Sequence, residues 1–306
     1  MRRVIDSHAH VVQYIAGTGA GGELRSIGNG MAIYANGQKV RMIPKEFRGD
    51  CVSPEQLLRV MDACGVEKAV LLQGNFYGYQ NYYTYQAVKK YPDRFAGAGS
   101  YDPFSGDRDG IRKFLFEDLD FSIVKFEVST GSGLMAIHPD LVLDGDVMRE
   151  AASYASQKGH VFVIDIGKCA SASWQVERLR NLAAAFPDMK FVACHLLAPS
   201  ARDQNLLDWA LHILKLPNLW FDLSSLVHNC READKPYETA LSYIRKAANL
   251  VGTEKLMFGT DFPSALKEAP YEAYIRLFEE SNRFSDKEKE QMLYENAQMV
   301  YFENQS

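Results

Sequence analysis

No apolar run in the 306-residue sequence approaches the ~18 residues that a membrane-spanning helix needs, which excludes a helical membrane protein. Cysteine is scarce: there are five, an odd number (Cys51, Cys64, Cys169, Cys194 and Cys230), and none stands in a Cys-x-x-Cys pair. A disulfide framework is therefore not expected, and free buried thiols are. Positive charge is in short supply, with 34 Lys and Arg against 39 Asp and Glu for a net charge of −5. That balance argues against a nucleic-acid partner, because such binding relies on neutralising phosphates. Glycine-serine and proline-rich linkers, low-complexity tracts and long charge runs are also missing, so residues 1–306 are expected to form a single domain. The opening Met1-Arg2-Arg3-Val4-Ile5-Asp6 meets a carboxylate after two apolar residues and does not resemble a signal-peptide core. Together with the free thiols, this predicts a cytoplasmic location and no membrane partner.

What the chain does have is alternation. Short runs rich in Val, Ile, Phe and Leu are followed, one after another, by segments of helical periodicity. The predicted strands are 3–7, 68–73, 95–101, 122–128, 160–166, 190–195, 219–223 and 255–259. Helical patterns cover roughly 80–91, 107–117, 146–158, 173–186, 203–215, 237–250, 271–281 and 285–300. Another opens at Ser53-Pro54-Glu55-Gln56 with a capping serine and a first-turn proline, and stops at Gly65. Strands separated by helices pair in parallel, because each crossover returns the chain to the same edge. Eight such units closing on themselves predict an α/β fold, the (β/α)8 TIM barrel. Two connections are long, 11–52 and 129–145, and both follow strand C-termini, the end at which such barrels place their active sites.

Three of those strand ends carry candidate chemistry. Asp6-Ser7-His8-Ala9-His10 closes the first strand. Side chains at i and i+2 on a strand share a face, so His8 and His10 can both point into the mouth, as two imidazoles on one cation require. Phe258-Gly259-Thr260-Asp261-Phe262-Pro263 closes the eighth strand and brings Asp261 to the first strand across the seam. Phe191-Val192-Ala193-Cys194-His195 ends the sixth apolar strand in a histidine.

The His8-Ala9-His10 pair, His195 and the Gly-Thr-Asp-Phe-Pro run resemble the amidohydrolase superfamily. The likeness is closest to its amidohydrolase-related branch, which includes aminocarboxymuconate semialdehyde decarboxylase-like enzymes. Gly65–Leu71, Tyr91–Gly97, Val124-Lys125-Phe126, Phe186–Lys190 and Glu295-Asn296-Ala297 extend the resemblance over nearly the whole chain. It implies one divalent metal, Zn²⁺ or Mn²⁺, held by His8, His10 and Asp261, with His195 beside it. Asp261 or His195 would accept the proton of a metal-activated water, or His195 would polarise the substrate. Where the family's fifth strand usually supplies a histidine ligand, this chain has Asp165. A carboxylate can replace that ligand, or can stand behind the ligands. Two imidazoles and two carboxylates would leave an M²⁺ site with no net charge, which favours harder ions.

The resemblance further implies a metal-dependent hydrolase acting on a small organic acid or cyclic substrate. The rivals are a non-oxidative decarboxylase on the same scaffold, a metal-free lactonase, and a non-catalytic binding barrel. Lys125 is structural or faces substrate. His138 and His228 follow the fourth and seventh strands on the mouth side, where either could touch substrate. Six aromatics within Phe76–Tyr85, Tyr79 among them, suit a planar ligand. Arg25, Arg41 and Arg48 lie in the first long connection, and one of them could clamp a substrate carboxylate. The expected partner is a small molecule, carboxylated or aromatic, and relatives suggest a homodimer.

Overall fold

A computed structural model describes residues 2–303. Eight strands form one sheet with all pairs parallel: β1 (Ile5–Ala9), then, after four strands of a separate sheet, β6 (Lys68–Leu71), β7 (Phe95–Gly99), β8 (Ile123–Glu127), β9 (Val161–Asp165), β10 (Phe191–Ala193), β11 (Leu219–Asp222) and β12 (Leu256–Met257). The sheet closes on itself. Ser7 N–H donates to the Phe258 carbonyl (2.9 Å), Asp261 N–H to that of His8 (2.8 Å), and His10 N–H to that of Phe262 (2.7 Å). With helices between successive strands, this is the (β/α)8 barrel that the alternation predicts. No helix among the described residues is long and apolar enough to cross a membrane.

The 11–52 connection corrects one expectation, because it is no open loop. It folds as a four-stranded antiparallel sheet, β2 (Ala16–Gly19), β3 (Gly22–Gly28), β4 (Met31–Tyr34) and β5 (Lys39–Arg41). Asn29 and Gly30 take φ of 56° and 71° between β3 and β4, the backbone that a tight Asn-Gly hairpin turn requires. The sheet lies along one side of the barrel rim. Thr18 N–H bonds the Asn75 carbonyl (3.0 Å), and Ala20 N–H that of Gly131 (2.9 Å), tying the loops after β6 and β8 together.

Alternation along the strands divides the core in two. Phe95, Phe126, Phe162, Phe191, Phe221 and Phe258 face outward against the helices, all fully buried. Ile5, Val70, Ile123, Val163, Val192, Trp220 and Met257 fill the interior, which Ala297, Val300 and Tyr301 plug from below. Following the interior parity to each strand's C-terminal end gives Lys125 and Glu127 on β8, Asp165 on β9, Cys194 after β10 and Asp222 on β11. The barrel is dry at its base and polar at its mouth. On β1 the register against β6 shifts between Asp6 and Ala9, so His8 turns to the interior although Ile5 already faces it.

His160, at the foot of β9, packs against the ring of Phe116 at 5.2 Å. Burial pushes its pKa down to about 4. The folded protein thus leaves this imidazole neutral at a pH where the unfolded chain, with a value near 6.5, binds a proton. Stability from this group is present above pH 6.5 and is lost as pH falls towards 4, by at most about 1.4 kcal/mol per pH unit. Urea melts of wild type and His160→Leu should therefore converge or cross on acidification over that window. A difference between them that does not vary with pH would contradict the assignment.

Candidate metal centre

Asp6 fastens the first strand to the last loop. Its Oδ1 accepts the N–H groups of His8 (3.1 Å) and Thr260 (2.9 Å), and its Oδ2 the hydroxyls of Thr260 (2.5 Å) and Tyr271 (2.7 Å). Burial raises its pKa to about 6 against those bonds. Gly259 allows the two segments to approach, because a Cβ there would lie 3.2 Å from those of His8 and Ser224. Asp261 then sits at φ 69°, with Oδ1 3.1 Å from His10 Nε2 and 3.9 Å from His8 Nε2, and with Oδ2 accepting the Ser225 hydroxyl at 2.6 Å.

The far nitrogens of both imidazoles are spoken for. His10 Nδ1 donates to the Leu72 carbonyl at 2.8 Å; a carbonyl cannot donate, so in the neutral ring His10 Nε2 has no proton. His8 Nδ1 lies 3.0 Å from Asp222 Oδ2. Burial keeps His8 neutral, lowering its pKa to about 4 although Asp222 acts the other way. Burial opposes the charge on Asp261, but the hydrogen bond with His10 and the nearby charge of His195 hold its carboxyl well below the usual range. His8 Nε2, His10 Nε2 and Asp261 Oδ1, the two imidazoles buried and the carboxylate half-buried, lie within 4.8 Å of one another. This donor set fits a divalent cation. His8, Cys194 and Asp222 also lie within 4.8 Å of one another, but there His8 Nδ1 and Asp222 already bond each other.

His195 stands beside this cluster, its ring stacked on that of His8 with centroids 4.6 Å apart. The structure ends β10 at Ala193, so His195 lies beyond the strand in which the sequence pattern places it. It begins a run of four left-handed residues, His195, Leu196, Leu197 and Ala198, with φ between 48° and 66°. Such residues each cost about 1–2 kcal/mol, and strain of this kind concentrates at functional sites. The turn delivers His195 N–H to Asp222 Oδ1 (3.0 Å) and Nδ1 to the Ser224 hydroxyl (2.7 Å).

Asp165, expected as a possible fourth ligand, lies outside the cluster of ligand atoms. Its Oδ2 faces His195 Nε2 at 3.6 Å and its Oδ1 accepts Gly167 N–H at 2.8 Å. A carboxylate is shorter than the imidazole that it replaces, and here one oxygen faces His195 while the other is held by the Gly167 N–H. Burial works against the charge on His195, but Asp165, Asp222 and Asp261 overcome it and push the imidazole up to about 9.

A cavity of about 170 Å³ opens over these residues, and Lys125, Glu127, Gln73, Phe76 and Tyr77 complete much of its wall. Lys125 is 3% exposed. Burial opposes its charge, yet Cys194, Asp165, Glu127 and Asp222 together hold the ammonium above the ordinary lysine value. Among the described residues none forms a hydrogen bond or ion pair with Lys125 Nζ. Glu127 Oε1 accepts the hydroxyls of Ser129 (3.0 Å) and Ser132 (2.7 Å). Its Oε2 would lie 2.3 Å from a Cβ on Gly74, so any side chain there would displace the Glu127 carboxylate.

Other expected contacts are not made. Arg25 and Arg41 spend their guanidinium groups on the inserted sheet: Arg25 on the Gly17 and Leu24 carbonyls, Arg41 on those of Asn29 and Ile43. Arg48 is exposed, and none of the three lines the cavity. His138 is bound to Asp102 (2.8 Å) and stacked on Phe104, and His228 is bound to Glu268 (2.7 Å); neither lines the cavity. Of the aromatic run, Phe76 and Tyr77 face the cavity, whereas Tyr79, Tyr82 and Tyr83 line a separate groove with Tyr14. Asp222 and Glu127 were not singled out from sequence, although each is a carboxylate ending an apolar strand, the same signal that marks Asp165.

The amidohydrolase family model matches residues 5–302. The chain belongs to the amidohydrolase family. No curated protein is similar enough in sequence to match. Among solved amidohydrolase folds, one from Burkholderia multivorans with bound zinc has a TM-score of 0.73 at 18% identity, over 97% of this chain and 98% of that one. A probable 2-pyrone-4,6-dicarboxylic acid hydrolase from Acinetobacter baumannii, with citric acid bound, has a TM-score of 0.72 at 15% identity, over 98% and 99%. The 5-carboxyvanillate decarboxylase of Sphingomonas paucimobilis covers less, with a TM-score of 0.56 at 17% identity over 80% and 81%. At these identities the likeness is one of amidohydrolase fold, on which hydrolases and decarboxylases both occur.

Proposed function

We propose that the protein is a metal-dependent hydrolase of a small organic acid or cyclic substrate. The observation that carries this reading is the convergence of the His8 and His10 Nε2 atoms on Asp261 Oδ1, with His195 alongside. His8, His10 and Asp261 would hold one Zn²⁺ or Mn²⁺. Such a cation supplies polarisation of a carbonyl and acidification of water. Asp261 would accept the proton of the attacking water. His195, fixed by Ser224 and flanked by Asp165, is placed to hydrogen-bond the oxygen on which charge develops. A cavity of about 170 Å³ walled by Phe76 and Tyr77 suits a small substrate.

Lys125 is the group for a substrate carboxylate, because an ammonium with no partner in a buried wall asks for an anion. Lys125→Met should raise KM for an anionic substrate by about 10- to 100-fold, the worth of a charged hydrogen bond, with a smaller effect on kcat. An unchanged KM would remove Lys125 from substrate binding. The same lysine gives decarboxylation its specific support as a second reading, since a carboxylate held there lies beside the cation site. The test is to load the protein with Zn²⁺ or Mn²⁺ and assay lactones, esters and amides of small acids, together with CO₂ release from aromatic acids. Hydrolysis that a chelator abolishes supports the proposal, and CO₂ release without hydrolysis overturns it in favour of the second reading.

A further inference from the structure

Asp222 reaches both sides of the site from a wholly buried position. Its Oδ1 receives three donors: the N–H of His195 (3.0 Å), the N–H of Ser224 (3.1 Å) and the Ser224 hydroxyl. Its Oδ2 faces His8 Nδ1 (3.0 Å). Because the Ser224 hydroxyl is donated to Asp222, its oxygen is left to accept from His195 Nδ1 at 2.7 Å. Backbone amides can only donate, so whatever stands at the Oδ1 position must accept. An ionised carboxylate meets that demand and still offers an acceptor to His8, which puts the His8 proton on Nδ1 and leaves Nε2 bare.

We infer that Asp222 is a positioning residue that sets the His8 tautomer able to take a cation and, through Ser224, fixes His195 at the same time. One carboxylate thereby registers the cation ligand against the proton-handling group. The inference rests on the metal-site reading above for its consequence, but the tautomer itself does not depend on it. It also explains why an amide cannot stand here. In Asp222→Asn the carbonyl must face the three donors, so the NH₂ faces His8. Nδ1 must then accept, and the ring proton moves to Nε2, capping the lone pair that points at Asp261.

The test uses the full chain with ¹⁵N-labelled histidine. In the metal-free wild type, two-dimensional ¹⁵N–¹H spectra of the rings should show His8 protonated at Nδ1; in Asp222→Asn they should show it protonated at Nε2. Zn²⁺ affinity, measured by chelator competition, should fall about 100-fold in Asp222→Asn and stay within about threefold of wild type in Ser224→Ala, where the Asp222–His8 bond remains. Ser224→Ala should instead lower turnover by loosening His195. An Nε2-protonated His8 in the wild type overturns the inference, as does an Asp222→Asn protein that keeps wild-type Zn²⁺ affinity. Should Asp222→Asn fail to fold, the wild-type tautomer decides. A wild type that binds no Zn²⁺ overturns the proposed function, and the tautomer spectra still decide the role of Asp222.

Discussion

His8→Ala is expected to yield a folded protein that retains less than about a tenth of a metal ion per chain and turns over at least about 10³-fold more slowly, the equivalent of several kcal/mol of cation assistance. The expectation follows from the small donor set. Three protein atoms converge, His8 Nε2, His10 Nε2 and Asp261 Oδ1, and Asp165 is turned towards His195 and is not a ready substitute. Losing one imidazole leaves two donors, too few for a tightly held ion. The fold should survive, because His8 does not belong to either apolar core and its strand stays tied through Asp6 to Thr260 and Tyr271. His10→Ala should behave alike, and the two losses should not add, since either alone empties the site. Elemental analysis and kcat/KM of the same preparations check both halves; full activity in His8→Ala would refute the metal mechanism.

His195→Asn should separate chemistry from metal. It removes the imidazole that stacks on His8 and bonds Ser224, but takes away none of the three converging atoms. Turnover should fall about 10²- to 10⁴-fold, the range for losing a positioned acid or base, while metal content stays near that of wild type. The contrast with His8→Ala is the informative part. If His195→Asn also lost its metal, His195 would have to be a ligand and the three-residue site would be incomplete.

The barrel and the rim of its mouth were legible in the sequence because both follow from parity. An apolar strand of alternating direction ends in a side chain that either faces the mouth or does not; Asp165 is such an ending and Lys125 shares the inward parity of its strand, whereas His195 follows Cys194 on the opposite parity and reaches the mouth only through the left-handed turn after β10. The inserted sheet was less legible. Ala16–Gly19 and Met31–Tyr34 are only four residues each, and the first is half glycine, yet Asn29-Gly30 and Asn36-Gly37 are hairpin signals that mark its turns. That sheet engages the guanidinium groups of Arg25 and Arg41, contacts that its sequence pattern does not show. Asp165 shows a different limit. Whether a strand-end carboxylate faces a cation or the neighbouring imidazole depends on the reach of its side chain, and on a Gly167 N–H that no sequence pattern weighs. Asp222 carried the signal of its neighbours, but its worth appears only once two backbone amides and a serine converge on one of its oxygens.

The most direct measurement is anomalous diffraction at the metal edge from crystals of the Zn²⁺- or Mn²⁺-loaded protein. The account predicts a single peak between the Nε2 atoms of His8 and His10 and the carboxylate of Asp261, with ligand distances of about 2.0–2.2 Å and His8 Nδ1 still bonded to Asp222. A loaded crystal with no peak there, or with the ion elsewhere in the chain, would contradict it.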